Sequence, residues 1–110
     1  MNLNPSLIHG LALLWAEKKY PDELSDRYHR ERIDVRVYEQ AGAGYYFIAG
    51  IGPGKWYYKS DPTENHYTNC QINEVQEAID AGGRVQIVGE RGKSLGVWRN
   101  WEVFAEEVLG

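Results

Sequence analysis

A chain of 110 residues is one domain, long enough for a single hydrophobic core. Its 43% apolar and 25% charged composition is that of an ordinary globular protein and excludes global disorder. The net charge of −4, with four Lys/Arg against nine Asp/Glu in residues 61–110, argues against nucleic acid as the default partner.

The first element in the chain is a helix. Asn4 can cap it, Pro5 suits its first position, and Leu7, Leu11, Leu14 and Trp15 follow at helical spacing as the expected core stripe. Lys18 and Lys19 complement its dipole, and Pro21 ends it. Residues 22–30 give at most a short further helical turn. Arg27, Arg30, Arg32 and Arg36 are basic but interleaved with Asp26, Glu31 and Asp34, the pattern of a solvated face.

From Arg32 the period changes to two. Ile33, Val35 and Val37 alternate with Asp34, Arg36 and Tyr38, which predicts a half-buried strand. A glycine-rich link, residues 41–44, leads to a second strand, Tyr45 to Ile51. The turn Gly52-Pro53-Gly54 then feeds a third, Lys55 to Ser60. Residues 61–69 are polar and without periodicity. Thr68 or Asn69 can cap a second helix carrying Ile72, Val75 and Ile79, which stops at Gly82-Gly83. Val85 and Ile87 begin a fourth strand, Leu95 to Trp98 suggests a fifth, and Asn100 opens a C-terminal helix with Trp101, Phe104 and Val108. The expected fold is therefore α+β in the order α-β-β-β-α-β-(β)-α. Its mainly antiparallel sheet has four or five strands, with helices packed on one face.

Six of the fourteen aromatic residues fall within residues 45–58, as Tyr45-Tyr46-Phe47 and Trp56-Tyr57-Tyr58 on either side of the turn. A strand pair shows one aromatic row to each face, and a two-layer domain needs only one row for its core. The rows are Tyr45, Phe47 and Tyr57 against Tyr46, Trp56 and Tyr58. A slip of one residue in register exchanges them. The second row is taken as exposed, with Tyr46, Trp56 and Tyr58 as anchors and Arg36 and Lys55 at the rim. Tyr, Trp and Arg are the residues that protein interfaces use as hot spots. The expectation is a small, soluble, cytoplasmic interaction module, with an accessory or inhibitory role as one use, that binds a protein partner or a second copy of itself.

Other chemistries find less in the chain. The turn at Gly52–Lys55 lacks the spacing of a phosphate loop, and a strand follows it where a helix is needed. His9, His29 and His66 have no helical zinc partners, and the single cysteine, Cys70, forms no internal disulfide and is expected to be structural. Glu64, His66 and Tyr67 share a loop that could carry acid–base chemistry if it lined a cleft. No catalytic residue, metal or cofactor is assigned, and no apolar run approaches the roughly 20 residues of a membrane span.

Two alternatives stay open. Aromatics beside arginines, such as Tyr46, Tyr57 and Arg36, can hold a nucleotide or single-stranded nucleic acid in a concave site. The segments Gly44-Tyr45-Tyr46 and Tyr57-Tyr58 also resemble the paired strands of GIY-YIG nucleases, over residues 44–58. That resemblance implies two tyrosines on adjacent strands beside a metal-bound phosphodiester, with a helix arginine and a metal-binding glutamate. Here Lys59 stands where the second motif has glycine, and residues 61–69 replace the arginine-bearing helix.

Overall fold

The computed structural model describes residues 3–52, 54–61, 66–69 and 72–110, with side chains excepted at 58–61 and 66–69. Helix α1 (Pro5–Lys19) begins at Asn4, whose side chain accepts from the Leu7 amide at 3.1 Å. A short α2 (Arg27–Arg30) is capped by Asp26. Strands β1 (Asp34–Ala41), β2 (Gly44–Gly52), β3 (Lys55–Asp61) and β4 (His66–Asn69) follow, then α3 (Ile72–Asp80), β5 (Arg84–Val88) and β6 (Ser94–Trp98). The chain closes with α4 (Trp101–Phe104), capped by Asn100 and continued by a π-helical turn, Ala105–Leu109.

The strands form one antiparallel sheet in the order β4-β3-β2-β1-β5-β6. This is the expected α+β architecture and element order, with one addition. Residues 66–69 pair with β3 as a short edge strand, although their polar sequence carries no period-two signal. The thiol of Cys70 and the Glu64 carboxyl lie outside the described residues, as do the side chains of His66, Tyr67, Thr68 and Asn69.

One face of the sheet carries the core. Val35, Val37, Ala49, Ile51, Val85 and Ile87 alternate toward it and meet buried residues of α1, α3 and α4. The stripe of α1 differs from the leucine-rich one expected. Ile8, Ala12 and Ala16 are buried, whereas Leu7 and Leu14 are exposed. The alanines offer a narrow surface that lets the helix lie close to the sheet, so the small residues, rather than the bulkiest, face inward. The far end of the core is aromatic. Trp98 and Trp101 each pack on Phe104, at ring separations of 5.2 and 5.1 Å, and Trp15 meets Trp98 edge-on at 5.1 Å.

Strands β1 and β2 are not in uniform register. Val37 pairs with Ala49, but Tyr38 pairs with Phe47, so Ile48 is an extra residue on β2. Ile48 and Ala49 both pack toward the core. Beyond this bulge the alternation of β2 is reversed.

Candidate functional site

The helices leave the second face of the sheet uncovered. The cross-strand pairing puts Asp34, Arg36 and Tyr38 of β1 on that face, with Gly50 and Phe47 of β2, Tyr57 of β3, Arg84 and Gln86 of β5 and Val97 of β6. Two regions can be distinguished along β1.

At the Tyr38 end the surface is aromatic. Phe47 packs against Tyr38 with ring centroids 6.0 Å apart. The Arg84 guanidinium lies 5.1 Å from the Tyr45 ring centroid, within cation–π range. The Tyr38 hydroxyl donates to Gln86 Oε1 at 3.2 Å. Tyr45 and Phe47 are 43% and 38% exposed, and farther along the same face, on β6 opposite Gln86, Val97 is 47% exposed.

At the Asp34 end is a polar network over an open cleft of about 670 Å³. Tyr57 stands opposite Gly50, and its ring lies on that glycine. From there the hydroxyl reaches across β2 and donates to Asp34 Oδ2. Arg36 Nε donates to the same oxygen at 3.1 Å. The Asp34 side chain is only 14% exposed. Burial pushes its carboxyl above the ordinary range, and the bonds from Tyr57 and Arg36 oppose that shift without cancelling it. Arg32, Lys55 and Arg91 also line the cleft.

The residues singled out from sequence are distributed as follows. Arg36 and Lys55 both line the cleft. Tyr46 is 60% exposed but pairs with Glu39, so it lies on the opposite side of β2 from the uncovered face. The expectation for Trp56 is corrected. It pairs with Ile51 in the core, is 4% exposed and donates its indole N–H to the Leu3 carbonyl at 3.0 Å. Trp56 must fill the space under α1 and beside Trp101, whose ring is 6.4 Å away. The Tyr58 side chain lies outside the described residues. The uncovered row is therefore Tyr45, Phe47 and Tyr57. Uniform alternation from Ile51 would have turned Tyr45 and Phe47 toward the core side, and the bulge at Ile48 reverses them.

Asp34 is the residue that sequence reasoning missed. Its signal was only that of a polar alternate in a strand, because its partner Tyr57 is distant in sequence. The two tyrosines that the nuclease resemblance joins do not meet, since Tyr57 stands opposite Gly50, four residues along β2 from Tyr46. Among the described residues, no three His, Cys, Asp or Glu side chains cluster where they could hold a metal ion. No described helix is long and apolar enough to cross a membrane.

A separate cluster surrounds His29. Its Nδ1 is 2.8 Å from Asp26 Oδ1 and its Nε2 is 3.2 Å from Glu90 Oε2. The hydrogen bond with Asp26 is the main cause that raises the imidazole pKa, and the bond from the His29 amide, followed by that from the ring, lowers that of Asp26. His9 serves the fold by bonding the Ile33 carbonyl through Nε2 at 3.0 Å.

The chain matches no family model, no curated protein and no solved structure.

Proposed function

We propose that this protein is a binding module whose contact surface is the aromatic end of the uncovered sheet face, and that it receives a protein partner or a second copy of the chain. The observation that carries the reading is the exposure of Tyr45, Phe47 and Val97 on a face that no described helix covers. Aromatic rings held on strands lose little conformational entropy on contact, which suits them as interface anchors. Arg84 and Tyr38 add a polar edge to the same patch. Nothing in the core requires these rings, so their retention as large exposed groups favours a role in contact.

Self-association is the form to test first. Sedimentation velocity over a wide concentration range is expected to show a reversible dimer that Phe47→Arg disrupts, with the circular dichroism spectrum unchanged. A chain that stays monomeric throughout, and that loses substantial stability with Phe47→Arg, would make the aromatics structural and overturn the reading.

A further inference from the structure

We propose that the cleft at the Asp34 end of the uncovered face binds a nucleotide, with its base on the outward side of Tyr57 and its phosphate among Arg32, Arg36, Lys55 and Arg91. The site is separate from the aromatic patch, at the other end of β1.

The Tyr57 ring lies along the backbone of β2, with its Cδ1–Cε1–Cζ–Oη edge over Gly50 and Gly52. A Cβ built on Gly50 would come within 2.7 Å of its Cζ and Oη, and one on Gly52 would stand 3.5 Å from its Cδ1. Neither glycine has a side chain to hold the ring off the sheet. The bond to Asp34 fixes the ring in that position. A ring fixed in place in this way offers a π-face for stacking, and stacking tolerates any base because every base has a π-face.

Charge supplies the second half. Arg32, Arg36, Lys55 and Arg91 line the cleft together with Glu31 and Asp34, a local excess of positive charge in a chain of net charge −4. Glu31 is held by Arg27, whose Nε is 2.5 Å from Glu31 Oε1, and this lowers its effect on the cleft. The four cations come from different parts of the chain. Arg36 sits on β1, Arg32 just before it, Lys55 after the β2–β3 turn and Arg91 in the β5–β6 turn. Arg91 is the one described non-glycine residue with positive φ, at 57°; its side chain is 92% exposed, with Nε 3.9 Å from Glu90 Oε1. Arg32 is already oriented by the Tyr28 ring, 4.0 Å below its guanidinium carbon. Guanidinium groups on different segments can approach a phosphate from several sides and form charge-assisted hydrogen bonds to it. The volume of about 670 Å³ falls within the range of small-ligand sites.

Isothermal titration and amide chemical shifts with AMP, adenosine and inorganic phosphate provide the test. AMP is expected to bind saturably, with shifts centred on Asp34, Gly52, Lys55 and Arg91, and about tenfold more tightly than adenosine or phosphate alone. Tyr57→Leu is expected to weaken AMP about tenfold and leave phosphate binding unchanged. Because that change also removes a bond to Asp34, the exposed double variant Lys55→Gln/Arg91→Gln gives an independent reading. It is expected to reduce AMP affinity to that of adenosine. The proposal is overturned if AMP produces no saturable shifts at the cleft, if phosphate alone binds as tightly as AMP, or if the double variant binds AMP like the parent. None of these outcomes bears on self-association through Phe47, which sedimentation reads separately.

Discussion

The ring of Tyr57 rests directly on the backbone of Gly50, the residue opposite it on β2. A methyl group at Gly50 would lie 2.7 Å from the ring's Cζ and Oη, closer than any real carbon contact. Glycine at position 50 is therefore a consequence of where Tyr57 must lie to reach Asp34.

Gly50→Ala is expected to displace the Tyr57 ring and to destabilise the fold by about 1–3 kcal/mol, the usual cost of overpacking. Gly52→Ala is the control, since its methyl group would make only an ordinary contact at 3.5 Å. Urea denaturation of both variants distinguishes them. Equal stabilities would mean that the ring does not lie on Gly50.

Removing the indole of Trp56 leaves a large cavity beneath α1 and orphans the Leu3 carbonyl. Trp56→Ala is expected to cost about 3–5 kcal/mol, the range for burying and then deleting a large aromatic. Thermal or chemical unfolding measures this, and a loss near zero would return Trp56 to the surface.

Asp34 is expected to titrate above its ordinary value of 3.8, because burial is the largest influence on it. A carboxyl raised in the folded state favours folding when protonated. Its contribution is fully present below 3.8 and is lost as pH rises through the native pKa. Carboxyl carbon shifts against pH give the native value. Tyr57→Phe removes a bond that stabilises the carboxylate, so that value should rise further in the variant.

The His29 pair predicts a second pH dependence at a higher range. With the imidazole pKa raised above 6.5, its contribution is fully present below 6.5 and disappears as pH rises through the native value. Asp26, whose pKa is lowered, contributes above 3.8 and loses its effect as pH falls through its native value. His29→Gln should flatten the stability profile between neutral and mildly acidic pH in denaturation curves. Both groups reach solvent, so added salt should weaken the effect as well.

The fold was legible where short-range pattern and burial agree. Asn4 and Pro5 set the start of α1, the alternation Val35–Val37 marked β1, and Ile72, Val75 and Ile79 marked α3, because each signal is contained within a few residues of chain. The edge strand at 66–69 was not legible, because pairing with β3 supplies its order and its own residues do not. In α1 the leucines misled, since proximity to the sheet selects small residues for the contact and leaves Leu7 and Leu14 outside.

That two aromatic strands flank a glycine turn, and that a domain of this size leaves one aromatic row beyond its core, can be read along the chain. Which row stays outside is settled by packing. A single extra residue, Ile48, accommodated opposite β1, reverses the faces of Phe47 and Tyr45, while Trp56 is drawn inward by the space beneath α1. Side-chain direction in a strand has a period of two residues, so a bulge of one residue changes it completely. The partnership of Tyr57 with Asp34 was equally invisible along the chain, because it depends on β3 and β1 standing on either side of β2 with only Gly50 between them.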